Sequence, residues 1–431
     1  MVVWALMRSL RLINEVVRIS IVAIALVLLP VADSFGAVAT KYLSPSLVLR
    51  LLVYVLGCWT LATSRSVGKG AKVLTAATIF YFGLQPVLHV MFWQRADIVG
   101  EELTAVVKLL YFPFVLLLLT ELAMGRAISR ENLQKSLTLL GCLVILSLVL
   151  GKISGLGGEI KGRGSGIEAT KGFMIGANEV GLMLLLTLPY VTRLIERSVK
   201  SVVLGATLSA VAYGLSGAVV FTKSSLAAAA LSFGNLIRVG TLDGSIVRRV
   251  IAIGMLSSAL GLVAVSYGPA IQAAFYAFAG PLISNIELVD VLSFIFRGRQ
   301  DYVQAILPSF VSSDYSGIYF WFGSGEHFLR SSSVGPLHRS LDDATTFEMD
   351  GFDLFGSFGV IGVALYLGLL WKLIRAIAPI QPQRYMMVII ALVVLHSLLA
   401  GHVLFSPQVS SLLAMIIVMN CRVFATREQP A

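Results

Sequence analysis

The most constraining feature of this sequence is a series of long apolar runs separated by short polar segments. In hydrocarbon every backbone amide and carbonyl must find its hydrogen-bond partner within the protein, so a run of about 17 to 25 apolar residues predicts a helix that crosses a bilayer. The composition agrees, because 57% of the 431 residues are hydrophobic and only 13% are charged. A soluble globular protein is therefore excluded.

The runs predict an all-α polytopic membrane protein with about twelve transmembrane helices and one large periplasmic loop that contains interfacial helices. The expected helices cover residues 13–32, 46–63, 73–93, 104–124, 136–151, 177–192, 201–221, 224–237, 250–267, 352–371, 385–403 and 407–421.

The basic residues predict the orientation of these helices. Cytoplasmic segments carry an excess of Lys and Arg, and alternate segments here hold 20 of the 33 basic residues when both termini are placed inside. The chain then divides into nine N-terminal helices in 1–267, a large external loop in 268–351 and three C-terminal helices in 352–431. The formal net charge of +10 is dispersed among short loops, which is typical of contact with anionic lipid and argues against a nucleic-acid partner.

Neither a disulfide nor a metal site is expected. The cysteines Cys58, Cys142 and Cys421 lie far apart inside apolar runs, where a thiol behaves as a small hydrophobic group. The histidines lack the spacing of known metal sites. We therefore expect no cofactor.

Two arginines, Arg297 and Arg299, lie together in the large external loop. A guanidinium binds phosphate oxygens in a planar fork, and the diphosphate of a lipid-linked sugar would lie just outside the bilayer. The alternative is that both residues anchor an interfacial helix by reaching towards the lipid head groups.

Carboxylates precede the tenth predicted helix, in the segment TTFEMDGFDLFG. Glu348 and Asp350 can each act as a general base towards a sugar hydroxyl. The structural alternative is a capping box formed by Thr345 and Glu348, because acids favour the positive end of a helix dipole. His338, upstream in GPLHRSLDD, is a third candidate base.

Other polar residues lie at the expected outer helix ends. Lys223 offers a second phosphate contact, and Asn178 and Glu179 suit a structural or site-lining role, because polar groups at membrane depth usually face a cavity or a partner. His402 is either a site residue or an interfacial cap.

The turn GSGEHF adds a permissive backbone at Gly323 and Gly325. It can bring main-chain amides close to a ligand, or it can serve only as a turn.

Taken in order, these segments resemble the O-antigen ligase and polymerase superfamily, the Wzy-type integral membrane glycosyltransferases. The resemblance rests on KGFMIGANEVGLMLLLTLP (Lys171 to Pro189), FTKSS (Phe221 to Ser225), GRQDYVQAIL (Gly298 to Leu307), GSGEHF (Gly323 to Phe328) and FEMDGFDLFGSFGVIG (Phe347 to Gly362). Many ligases carry an arginine where Lys223 stands, and place a loop histidine where this chain has Glu348 and Asp350. These departures favour the polymerase branch.

The resemblance implies a metal-independent, inverting glycosyltransferase of the bacterial inner membrane, with its site on the periplasmic side. Donor and acceptor would be glycans on undecaprenyl diphosphate, surrounded by membrane lipids and aided by a chain-length regulator. Arg299, with Lys223 or Arg297, would bind the diphosphate. One alternative is an O-antigen ligase that uses a lipid A core as acceptor, and another is a flippase or transporter.

Overall fold

A computed structural model describes residues 45–63, 68–125, 127–155, 157, 159–161, 168–171, 176–199, 201–220, 222–242, 299–334, 336, 346–377, 384–401 and 403–421. These residues are helical apart from one pair of short antiparallel strands and their connections. The helices are α1 (Pro45–Thr63), α2 (Lys69–Trp93), α3 (Val99–Met124), α4 (Arg130–Ser154), α5 (Ala177–Ser198), α6 (Val202–Val220), α7 (Lys223–Leu242), α8 (Arg299–Ser312), α9 (Ser316–Phe322), α10 (Glu326–Val334), α11 (Asp350–Ile377), α12 (Arg384–Ala400) and α13 (Pro407–Met419). The strands are β1 (Glu159–Lys161) and β2 (Glu168–Thr170).

Helices occupy ten of the twelve predicted apolar runs, which confirms those ten as helices. The runs at 13–32 and 250–267 lie outside the described residues. Among the described helices, α2, α4, the segment Ala96–Met124 that contains α3, and most of α11 are long and apolar enough to cross a membrane. These four indicate a membrane protein, while the count of twelve spans stays a prediction.

The described elements form two compact units. The first contains α1 to α3 and α8 to α13, and the second contains α4 to α7 with the strand pair. In the first unit, α2, α10, α11 and α13 pack against α3 and bury its apolar middle. In the second unit, α5, α6 and α7 pack against one another and α4 packs on α5 and α6.

Helix α11 is broken at Gly359, where φ is 65° and ψ is −176°. A left-handed residue inside a helix removes regular hydrogen bonds, and the freed carbonyls must find other donors in an apolar environment. Gly356 O accepts from the amide of Ser324 at 2.8 Å, and Phe358 O accepts from the Tyr81 hydroxyl at 2.7 Å. We did not expect a broken helix from the sequence.

Candidate functional site

The site begins with an ion pair between Arg299 and Glu348. Arg299 is the first residue of α8 and is only 4% exposed, and its Nη2 lies 3.4 Å from Glu348 Oε2. The Glu348 side chain is 26% exposed, so the pair places a buried guanidinium beside a carboxylate that solvent can reach. A charge-assisted hydrogen bond is normally about 2.7 to 2.9 Å long, so these two groups are loosely paired.

A small apolar core holds this pair in place. Ile306 of α8, Leu329 of α10 and Phe347 pack together and are buried, with Val303 and Phe328 against them. Phe347 directly precedes Glu348, and α8 carries Arg299. The two charged side chains are therefore fixed by elements that share one core.

The backbone of Glu348 is left-handed, with φ of 54°. This conformation is rare for a residue with a side chain and costs about 1 to 3 kcal/mol, and such residues often occur at functional sites. The turn after α12 packs directly on it, since a Cβ added to Gly401 would lie 2.5 Å from Glu348 O. The position needs a glycine, and Gly401 itself has φ of 61°.

The alternative of a capping box puts Glu348 in the first turn of the helix, three residues after Thr345, which lies outside the described residues. Helix α11 begins at Asp350, so Glu348 lies before the helix rather than in its first turn. Asp353, in the first turn of α11, bonds to the segment before the helix, because its carboxylate accepts hydrogen bonds from the Thr346 hydroxyl and the Phe347 amide.

Asp350 holds the connection between α12 and α13 onto the start of α11. It is 1% exposed, and its Oδ2 accepts from Ser397 Oγ at 2.7 Å, from the Val403 amide at 2.9 Å and from the Leu404 amide at 3.0 Å. A carboxylate oxygen that already accepts three hydrogen bonds is a weak proton acceptor. These contacts give Asp350 a structural task.

Gly323 and Gly325 allow the turn before α10 to pack against the broken helix. Their φ angles are 85° and 89°, and a Cβ at Gly323 would lie 2.2 Å from Ser357 O. The Gly325 amide donates to Ser357 O at 3.3 Å, and the Ser324 amide is bound to Gly356 O. The amides of this turn therefore bond to α11, which favours the structural role over ligand binding.

A second group of charged residues surrounds the start of α10. His327 Nδ1 lies 3.0 Å from Glu101 Oε2, Arg330 Nη1 contacts Glu101 Oε1, and Arg95 Nη1 lies 3.2 Å from His327 Nε2. A guanidinium can only donate, so His327 Nε2 accepts and Nδ1 carries the proton that is donated to Glu101. This network fastens α10 to the beginning of α3.

The Glu102 carboxylate, on α3, binds the start of α10. The carboxylate accepts the Glu326 amide at 3.2 Å and the His327 amide at 2.8 Å, and it also contacts His89 Nδ1 at 2.8 Å. It thereby caps the helix. Burial raises the pKa of the neighbouring Glu326 to about 7; Lys108 opposes this shift, whereas the charges of Glu102 and Glu101 add to it.

Four predicted site residues lie wholly or partly outside what the structure describes. Arg297, His338 and His402 lie outside the described residues, and Lys223 begins α7 but its side chain lies outside them too. Their assigned roles stay predictions.

Asn178 and Glu179 belong to α5 in the second unit, where Glu179 Oε2 lies against Gly176 at the helix start. The FTKSS segment contains a reciprocal cap of α7: the Thr222 amide donates to Ser225 Oγ at 3.0 Å, and the Ser225 amide donates to Thr222 Oγ1 at 3.3 Å. The described contacts of these residues are structural.

Two acids that bind the start of α10, and a histidine that contacts one of them, were not predicted from the sequence. Glu101 and Glu102 open a long apolar helix, and His89 lies inside the preceding one. Ionisable residues within a membrane helix are costly and usually face a partner, so this placement was the available signal.

Comparisons with known proteins do not identify a family for this chain. No protein-family model matches the sequence, and the comparisons with curated proteins and with solved structures found no match.

Proposed function

We propose that this protein is a bacterial inner-membrane glycosyltransferase that polymerises oligosaccharide repeat units carried on undecaprenyl diphosphate, with its site on the periplasmic side. The single observation that carries the proposal is the loose pair of a buried Arg299 and a partly exposed Glu348, beside the start of a candidate membrane span. Such a pair offers one cation and one base, which is the minimum that this reaction needs.

Arg299 would bind the diphosphate of the donor. As the bond between the anomeric carbon and the diphosphate breaks, negative charge accumulates on the leaving oxygens, and a preorganised guanidinium stabilises it. Burial strengthens this effect because surrounding water is excluded. The planar fork suits phosphate better than the point charge of a lysine does.

Glu348 would remove the proton from the acceptor hydroxyl. The hydroxyl oxygen then attacks the anomeric carbon from the face opposite the diphosphate, so the configuration inverts and undecaprenyl diphosphate leaves as an anion. This leaving group needs no protonation, so one base suffices. Asp350 is a weaker candidate because three donors occupy its Oδ2. His338 stays an alternative from the sequence.

The direct test is polymer synthesis by the purified protein from a lipid-linked repeat unit, read as a ladder of products on a gel. Arg299→Ala should lower the rate by about 100-fold to 1,000-fold, as for the loss of one preorganised contact to a developing charge. Arg299→Lys should also be impaired. The matched control is Arg375→Ala, which removes an exposed guanidinium near the end of α11.

The base is tested by Glu348→Gln, which keeps size and polarity but cannot accept the proton. It should be inactive while its melting midpoint stays close to that of the wild type. Glu131→Gln is the control, because Glu131 forms an exposed ion pair with Lys135 in the second unit. Wild-type polymer from both Arg299→Ala and Glu348→Gln would refute the proposed site. Adding a lipid A core to the same assay separates polymerase from ligase.

A second candidate function is the transport of a lipid-linked oligosaccharide. The break of α11 at Gly359 favours it, because broken membrane helices line substrate sites in many transporters. Against it, the carbonyls of Gly356, Ser357 and Phe358 at the break accept hydrogen bonds from protein groups. Movement of a labelled lipid-linked oligosaccharide across liposomes without polymer formation would support transport.

A further inference from the structure

Three buried polar side chains lie on α2 and α3, and we call them the buried row. Gln85, His89 and Glu102 are 1%, 2% and 1% exposed. Gln85 and His89 are four residues apart on α2 and so lie on one face of that helix. Because α2 ends at Trp93, Gln85 lies roughly 12 Å along the helix axis from that end. A buried polar group lowers the stability of the folded protein unless it is hydrogen-bonded.

The Glu102 end of the row has its partners. The carboxylate accepts two amides of α10 and lies 2.8 Å from His89 Nδ1. Each carboxylate oxygen accepts a backbone amide, so the contact with His89 is a hydrogen bond that Nδ1 donates. The Nε2 atom of a neutral His89 is then a hydrogen-bond acceptor.

The Gln85 end of the row is different. Within the described part of the chain, His89 Nε2 and both polar atoms of the Gln85 amide make no hydrogen bond. Together these groups present donors from the amide nitrogen, an acceptor at the amide oxygen and a second acceptor on the imidazole. Buried polar groups in native proteins are satisfied by other protein atoms or by ordered water with about two to four partners.

We propose that Gln85 and His89 together bind an internal water molecule, which extends the His89 and Glu102 pair into a hydrated polar row inside the first unit. Water fits because it donates and accepts in a small volume. A metal ion fits less well, because the carboxylate of the row is already occupied by α10 and His89. The site is independent of the proposed glycosyltransferase activity.

The proposal predicts an energetic link between Gln85 and His89 that a double-mutant cycle can measure. Gln85→Met keeps the shape of the side chain and removes its amide. His89→Asn keeps a donor close to the position of Nδ1 and removes Nε2. The readout is the melting midpoint of the full-length protein in detergent micelles.

We expect Gln85→Met to lower the midpoint in the wild type and to have little effect in the His89→Asn background. If Gln85 is simply an unpaired buried amide, Gln85→Met raises the midpoint instead, and that result overturns the proposal. Thr78→Val is the control, because Thr78 is buried on the same helix and its hydroxyl bonds to Leu74 O of that helix at 2.7 Å. The effects of Thr78→Val and His89→Asn on the melting midpoint should be additive.

Solid-state NMR of histidine-labelled protein in lipid gives a direct reading that does not depend on stability. The Nε2 signal of His89 is assigned by its loss in His89→Asn. Polarisation transferred from water protons to this nitrogen, and weakened in Gln85→Met, supports the site. A wild-type Nε2 signal that receives no transfer from water overturns it.

Discussion

Substituting Asp350 with asparagine separates a structural carboxylate from a catalytic one. Asp350 Oδ2 accepts three hydrogen bonds, and asparagine can still accept them but without the negative charge. Hydrogen bonds to charged groups contribute about 1.5 to 3 kcal/mol and those between neutral groups about 0.5 to 1.5, so the loss is about 1 kcal/mol for each bond. Asp350→Asn should therefore destabilise the protein by roughly 3 kcal/mol.

Two measurements on the purified variant test this reasoning. Its melting midpoint, followed by intrinsic fluorescence, should fall by several degrees, and Asp350→Ala should fall further because the Val403 and Leu404 amides lose their acceptor. At a temperature where the variant is folded, its polymerisation rate should approach that of the wild type. Asp314→Asn, at an exposed position, is the matched control. An Asp350→Asn variant that melts like the wild type yet makes no polymer would refute the structural assignment.

Three further predictions concern α9, α10 and the turn between them. Gly325→Ala should lower the melting midpoint strongly, because its Cβ would lie 2.7 Å from Glu102 Oε1 at φ of 89°, whereas Gly317→Ala should have little effect since its Cβ meets no atom within 4 Å. Because the folded state keeps Glu326 protonated between its ordinary pKa of 4.5 and about 7, wild-type stability should fall as the pH rises through this window. The melting midpoint of Glu326→Gln, measured from pH 4.5 to 8, should not show this fall. Trp321 is 52% exposed on the uncharged helix α9, so we expect it to contact lipid. In a variant that keeps Trp321 as the single tryptophan, lipids brominated near the head group should quench the tryptophan fluorescence. Quenching by aqueous iodide alone would place α9 in water.

The helices could be predicted from the sequence because a long apolar run between charged ends predicts a helix. The run expected at 385–403 is α12 at Arg384–Ala400, and the run at 407–421 is α13 at Pro407–Met419. The break in α11 could not be predicted in this way. Glycine is common in apolar helices, and what distinguishes Gly359 from Gly362 is a distant segment, because the backbone of Trp321 and Phe322 packs against Gly359.

The candidate site was predicted in part. Arg299 and Glu348 were both selected for their chemistry, and the structure brings them within 3.4 Å. The roles of the neighbouring acids depend on distant segments: Asp350 is engaged by residues after α12, and Glu102 by the start of α10. The spacing of residues along the sequence does not contain such contacts, so the sequence left both a general base and a capping box open at Glu348.

Glu348, Asp350 and Asp353, the three acids around the start of α11, differ in their hydrogen-bond partners and therefore in their roles. Asp350 and Asp353 are 1% and 7% exposed, and both accept hydrogen bonds from backbone amides, so each is committed to holding the chain. Glu348 is more exposed, loosely paired and held in a left-handed conformation by its neighbours rather than by its own side chain. In the proposed mechanism, a carboxylate whose position is fixed through its backbone has a side chain available to the acceptor hydroxyl. Glu348 is therefore the acid whose substitution should change activity more than stability.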